Sequence, residues 1–391
     1  MNLDYTQADE AFRAKARSWL SANVPRQQRP TAEAAAGQFD RDWQRKLYEG
    51  GWAGISWPAT HGGLGLSAIQ QLIWHEEEAR AGAPGLNSRS IGLQHGGPTL
   101  ISRGSSEQQA FHLPKILSGE AIWCQGFSEP GAGSDLAAVS TRGEVDGDQL
   151  VVNGQKTWTS YGHYADYQEL LVRTDPQSRR HHGLSWIICD MKTPGITVQP
   201  IVNMMGERHV NVVFYDNVRI PLSNLVGGLG EGWSVAMSTL SIERAFSLLP
   251  DQIELLQKLD HVLDLSRRTR LSDGRLAIED QEVTRKLARL RAEALSLRAM
   301  TLGLITRIER FGKLGPEGSL LKLATTNTYK ALCELTESIL GWRFLEYGED
   351  RSSNRWTYEF MWSWVLTISG GSSEIQREII ADRLLELPRA R

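Results

Sequence analysis

Over the first third of the chain, apolar residues recur at three- and four-residue spacing. AIQQLIWHEEEARAG (68–82) and SSEQQAFHLPKILSG (105–119) show the pattern most clearly and predict helices. Ser105 and Gln108 have the spacing of a capping box. The first twenty residues read as an amphipathic helix, with Phe12, Ala16, Trp19 and Leu20 clustered. Their acidic residues Asp4, Asp9 and Glu10 and the lack of an apolar stretch are not what a signal peptide carries. Pro/Gly-containing stretches such as WPATHGGLGLS (57–67) separate the helices.

From about residue 123 the period changes. GEVDGDQLVVNGQKTWTS (143–160) carries β-branched and polar residues punctuated by Asp-Gly and Asn-Gly, a hairpin signal. QELLVRTD, LSWIICDM, ITVQPIV and VNVVFYDNVRI follow as short strands. This stretch predicts a small antiparallel β-domain, closed or sandwiched. After GGLGEGW (227–233) the helical period returns, and RKLARLRAEALSLRAMTLGLITRIERFG (285–312) reads as one long amphipathic helix. The expected order is α (1–122), β (123–226), α (227–391).

Composition narrows the setting. At 391 residues and 41% hydrophobic, the chain has material for a large core without disulfides or metal. Three widely spaced cysteines, Cys124, Cys189 and Cys333, predict free thiols in a reducing cytoplasm. A net charge of −3 gives no reason to expect nucleic acid. No apolar run approaches the ~18 residues of a membrane span. GAGSD (131–135) lacks the third glycine of a dinucleotide fingerprint, and no GxxxxGK[ST] or GxSxG occurs. No histidine pair has metal-ligand spacing, so no metal is expected.

Two segments carry candidate chemistry. Ser-Glu-Pro-Gly-Ala-Gly-Ser-Asp (128–135) is a turn rich in backbone N–H groups, suited to an electron-rich ligand edge or simply a cluster of β-turns. In NGQKTWTSYGHYAD (153–166), Asn153-Gly154 is expected to make the turn, with Trp158, Thr159 and Ser160 beyond it. An aromatic ring beside a hydroxyl suits an isoalloxazine, which needs a face to stack on and a donor for N5 or O4. The same pattern also fits a strand with one packing aromatic.

Together these segments resemble the acyl-CoA dehydrogenase family, and the rest of the chain follows in order. MMGERHVNVVFYDNVRIPLSNLVGGLGEGW (204–233), SIERAF (241–246) and GGSSEIQREIIADRLLELPR (370–389) resemble its later motifs. The resemblance spans essentially the whole chain. It implies non-covalent FAD, a helical N-terminal domain, a middle antiparallel β-barrel, a C-terminal four-helix bundle and a homo- or heterotetramer. It also implies α,β-desaturation of an acyl-CoA in fatty acid or lipid catabolism, with hydride passing to flavin N5 and electrons to an electron-transfer flavoprotein. Carried over residue by residue, Phe127 and Ser128 match the flavin pyrimidine edge. Trp158 and Ser160 match the pair that packs on the flavin and bonds N5. Ser134 matches the serine near the thioester, and Arg267 the arginine reaching a neighbouring subunit's FAD.

The sequence departs from the family at the base. Many members open the terminal signature with Tyr-Glu-Gly-Thr, whose Glu removes the α-proton; aligning on Ile375-Gln376-Arg377 puts Gly370 there. Isovaleryl-CoA and long-chain members place the base directly before an arginine on an earlier helix, an arrangement Glu243-Arg244 reproduces. Glu243 is therefore the expected base, with Arg244 and Gly370 beside the substrate and Glu374 a second candidate. A glycine at 370 leaves room for branched or ring-bearing acyl groups. SILGWRFLEYG (338–348) keeps only Gly341 of the Gln-Ile-x-Gly-Gly that many members carry. That departure leaves open a half-catalytic or scaffolding subunit of a heterotetramer, alongside a variant acting on carrier-protein thioesters or nitroalkane-type substrates.

Overall fold

The computed structural model describes residues 5–178, 180–246, 249–311, 315–347 and 355–388, with residues 241–246 described by backbone only. The chain forms two compact units. One comprises Asn23–Leu66 and Ala83–Glu243; the other comprises Met1–Ala22, Ser67–Gly82 and Arg244–Arg391.

The first unit is built on strands β1 (Trp123–Gly126), β2 (Arg142–Asp146), β3 (Gln149–Ser160), β4 (Tyr167–Arg173), β5 (Leu184–Asp190), β6 (Ile196–Ile201), β7 (Val210–Pro221) and β8 (Leu225–Val226). Their order is β6-β7-β3-β2-β4-β5-β8, with β1 also on β4. The expected barrel does not close. β4 shares one edge between β1, which pairs with it in parallel from Trp123↔Tyr167 to Gly126↔Leu170, and β2, which meets it at Arg142↔Arg173. The sheet thus splits into two halves that pack face to face.

Strand alternation explains the layering. Leu170 and Val172 of β4 point into a core shared with Leu150, Val152, Val213 and Val218 of the other half-sheet. Leu171 points the opposite way, against Trp123 and Trp186 and the helical residues Leu100, Leu113, Ile116 and Leu117. Arg173 closes the seam, donating to the carbonyls of Val139, Ala137 and His182 at 2.9, 2.9 and 3.0 Å.

The hairpin β2–β3 forms where expected, but its turn is Gly147-Asp148, between the paired residues Asp146 and Gln149. Asn153-Gly154 instead lies inside β3 at a register shift against β7. Gly154 takes φ +144, which an L side chain rarely adopts, and Asn153 Oδ1 accepts from the Asn217 N–H at 2.8 Å. Asn-Gly here makes a bulge, another structure that calls for glycine's freedom.

The helices of this unit are α2 (Glu33–Glu49), α4 (Gly97–Arg103), α5 (Ser106–Ser118) and most of α6 (Gly232–Phe246). Both bonds of the expected Ser105–Gln108 capping box are present.

The second unit contains α1 (Gln7–Asn23), α3 (Ala68–Ala81), α7 (Leu249–Ser266), α8 (Gln281–Phe311), α9 (Glu317–Leu340), α10 (Arg355–Ile368) and α11 (Ser373–Ile379). Its core joins Leu255, Leu259 and Val262 of α7 to Leu287, Leu290 and Leu297 of α8 and Leu332, Leu335 and Ile339 of α9. On α1, Ala16 and Leu20 are fully buried, while Arg13 pairs with Glu76 of α3 at 2.7 Å. All three cysteines are buried and free.

Candidate active site

β1 delivers the chain into Phe127, Ser128 and Glu129. A tight turn follows at Pro130-Gly131, closed by reciprocal backbone bonds between Glu129 and Ala132 at 2.9 and 3.1 Å. Two contacts fasten this segment to β3: the Thr157 N–H donates to the Ser128 carbonyl at 2.9 Å, and Lys156 Nζ donates to the Phe127 carbonyl at 3.0 Å. Lys156 is fully buried and also reaches Glu129 Oε1 at 2.8 Å. Glu129 accepts further from the Ser140 N–H and hydroxyl at 2.8 and 2.7 Å and from the Thr141 N–H at 2.9 Å.

The electrostatics follow from burial and pairing. Burial pushes the Glu129 carboxyl up, but the Lys156 ammonium and the bonds from Thr141 and Ser140 outweigh it and hold it down at about 2. Burial pulls the Lys156 ammonium down to about 8 against the opposing pull of Glu129. At neutral pH both groups are ionised, and the pair staples the turn to the strand.

Next to Lys156 the β3–β7 register shifts again, between Lys156 and Thr159. Trp158 sits in that irregularity at φ +59, a costly conformation for an aromatic residue, and is 62% exposed. Ser128 and Ser160 are half-buried, and neither hydroxyl has a hydrogen-bond partner among the described residues. The first unit thus assembles a flat aromatic face and two available hydroxyls around one backbone junction. Those are the groups that hold a flavin ring, so the residues present fit FAD. Ser134 is exposed on the same loop. A pocket of about 380 Å³ borders the turn between Glu129, Thr141, Gly154 and Phe214, but none of these expected ligand residues lines it.

The second unit carries the other expected residues. Gly370 and Gly371 form a turn after α10 at φ +61 and +91. Its carbonyls are clamped: Lys322 Nζ donates to Ser369 O and Gly371 O, and Gln376 Nε2 donates to Gly370 O and Gly371 O at 3.0 and 3.1 Å. Glu374 is exposed and lies 3.4 Å from Arg377. Arg267 is exposed just past α7, paired with Asp264 at 3.0 Å. Glu243 and Arg244 fall in the last turns of α6, and their side chains lie outside the described residues.

Sequence reasoning missed Lys156, Glu129 and Lys322. Glu129 is inside the motif itself, whereas Lys156 lies between the polar residues Gln155 and Thr157, which give no sign of its burial.

The turn after β1, the strand fastened to it and the exposed Trp158 fit a flavin-dependent oxidoreductase. The chain belongs to the acyl-CoA dehydrogenase family, FAD-dependent oxidoreductases. The family's N-terminal, middle and C-terminal domain models match residues 6–120, 124–218 and 230–385. The acyl-CoA dehydrogenase IpdE1 of Mycobacterium tuberculosis is 39% identical over 389 residues, covering 97% of this chain and 98% of the relative. Among solved structures, the ChsE4–ChsE5 complex of M. tuberculosis matches with TM-score 0.87 and 31% identity. The Tcur3481–Tcur3483 steroid acyl-CoA dehydrogenase matches with TM-score 0.87 and 30% identity. Both matches cover all of each chain. Among the described residues no helix is long and apolar enough to cross a membrane.

Proposed function

We propose that this chain desaturates an acyl-CoA thioester between its α and β carbons, and that the acyl group carries a ring or branch. The observation that carries the reading is the Ser128–Thr157 junction, which gathers Ser128, Trp158 and Ser160 with hydroxyls and an aromatic face available to a ligand. Bound FAD supplies the two-electron acceptor for the hydride that leaves Cβ. Phe127 and Ser128 take the pyrimidine edge, Trp158 stacks on the ring, Ser160 donates to it, and Arg267 reaches the FAD of a neighbouring subunit. Ser134 lies along the pantetheine arm. Glu243 removes the α-proton, and a carboxylate in a dry pocket has the raised basicity this requires. Arg244 and Gly370 border the substrate, and the missing side chain at 370 leaves space beside Cα.

The preference for a ring draws support from the relatives, one of which is named a steroid acyl-CoA dehydrogenase. Both structural relatives pair two different chains, which favours a second reading in which this chain works as one half of a heterotetramer. An electron-transfer flavoprotein in the cytoplasm is the acceptor this chemistry calls for.

Anaerobic titration with a panel of acyl-CoAs tests the reading. Bleaching of bound flavin by ring-bearing thioesters is the expected result. A protein that takes up no FAD, alone or with a co-expressed partner, overturns it.

A further inference from the structure

Two residues before Phe127, the first unit buries a polar cluster inside an apolar core. Gln125 Nε2 lies 2.7 Å from Glu169 Oε1 and 3.1 Å from His95 Nδ1, and His95 Nδ1 lies 3.3 Å from the same Glu169 oxygen. Glu169 is fully buried and His95 nearly so, with Trp123, Leu171, Trp186 and Ile188 in the core around β1, β4 and β5. Gln125 and Glu169 are direct partners in the parallel β1–β4 register. His95 comes from a single π-helical turn, Gly92–Gly96, a feature that often marks functional sites. Glycines set that turn tightly on its neighbours: a Cβ at Gly96 would lie 2.8 Å from the Trp123 ring and one at Gly97 2.0 Å from Trp57.

The cluster has a direction. A carboxyl oxygen accepts, so the end of Gln125 facing Glu169 is its NH₂ and the carbonyl end turns away. That amide oxygen accepts no hydrogen bond from the described residues, and Gln125 is the half-exposed member of an otherwise buried strand. Glu169 and His95 thereby fix a half-exposed amide whose acceptor end turns away from them. Alternation along β1, continued one residue past its end, puts Gln125 on the same side as Phe127, about 7 Å along the chain from it. An apolar acyl chain has no use for such a group, whereas a hydroxyl at that distance does.

Building on the dehydrogenase reading, we propose that Gln125 determines specificity by accepting a hydrogen bond from a hydroxyl on the ring or branch of the acyl group. Glu169 and His95 act as positioning residues.

The test uses two thioesters that differ only in that hydroxyl, 3-(4-hydroxycyclohexyl)propionyl-CoA and 3-cyclohexylpropionyl-CoA. Their dissociation constants are measured by calorimetry on the FAD-loaded full-length protein, with its partner chain if it has one. The native protein is expected to bind the hydroxylated ester about 5-fold tighter, the usual worth of one neutral hydrogen bond. Gln125→Met, close in shape but without the amide, should bring the two constants level. Glu169→Gln, which frees the Gln125 amide to turn over, should reduce the preference and decides the matter if Gln125→Met does not fold. Equal binding of the two esters by the native protein overturns the proposal. So does a preference that survives the substitutions intact. Failure of both esters to bleach the flavin would count against the dehydrogenase reading, while the binding constants would still judge Gln125.

Discussion

Lys156 and Glu129 hold each other at 2.8 Å in the interior of the sheet unit, and the same ammonium reaches the Phe127 carbonyl at 3.0 Å. One buried cation therefore fastens the segment Phe127–Glu129 to the strand that carries Trp158. Removing one partner of a buried pair leaves an uncompensated charge, which costs about 3–5 kcal/mol. Lys156→Met is expected to lose stability of that order in urea denaturation and to purify with less FAD. The double variant Lys156→Met/Glu129→Gln, which leaves no charge behind, should recover part of the loss. If the two single losses simply add, the pair is not coupled.

Acid should weaken the protein in two separate windows. His112 is held down at about 4 by burial, with Lys115 adding to it, and its ring packs edge-on against Trp123 and Tyr167. Between pH 6.5 and 4 the unfolded chain binds a proton that the folded chain refuses, so stability falls as pH falls through that range. Glu129 acts lower, its contribution being complete above its ordinary value near 4.5 and lost toward about 2. His112→Phe should flatten the fall in thermal midpoint between pH 6.5 and 4 and leave the drop below pH 4 in place. An unchanged slope in the variant would remove His112 from this account.

Periodicity alone located most elements: the helix expected at 285–312 is α8, Gln281–Phe311, and the four later strands are β4 to β7. In α8 and β7 burial of one face dictates the local pattern, while β4 and β5, buried on both faces, carry continuous apolar runs. The barrel was less legible, because closure depends on which edges pair, and β4's shared edge leaves no periodic trace. Asn153-Gly154 read as a turn because a bulge and a turn ask glycine for the same backbone freedom. The candidate ligand residues rest partly on resemblance, since an exposed Trp158 and a packing tryptophan look alike in sequence. Lys156 and Lys322 were missed because a buried lysine is rare and its partners lie far along the chain, 27 residues away for Glu129 and 47 for Ser369.

The Gly370–Gly371 turn should tolerate little. Gly371 has φ +91, and a Cβ there would lie 2.7 Å from Gln376 Nε2, one of the two groups clamping the turn's carbonyls. An L residue in such a conformation costs about 1–2 kcal/mol before the clash is counted. Gly371→Ala is expected to lower stability by at least that much. Gly303→Ala, inside α8 with nothing near the added methyl, should raise it by about 0.5–1 kcal/mol. Urea midpoints of the two variants check the contrast, and a neutral Gly371→Ala would show that the turn is not rigidly held.

The identity of the base separates two glutamates. Glu374 is a poor candidate, because its side chain is 76% exposed and paired with Arg377, whereas proton abstraction calls for a carboxylate of raised basicity in a dry setting. Bonds from its own backbone N–H and from Ser372 also lower its pKa, the wrong direction for a base. Gly370 offers no side chain at all. Glu243, on the last turns of α6 among Leu240, Ile242, Ala245 and Phe246, remains the carboxylate best placed in sequence for the role. General-base catalysis contributes about 10²–10⁴-fold. Glu243→Gln keeps the shape and removes the basicity, so the rate of flavin reduction by a ring-bearing acyl-CoA should fall by that factor. FAD content and thioester binding should stay near native. Glu374→Gln should change the rate by less than threefold. Stopped-flow absorbance under anaerobic conditions reads both variants directly. Near-native reduction by Glu243→Gln would remove Glu243 from the role and move the search for the base to Glu374 or a partner chain.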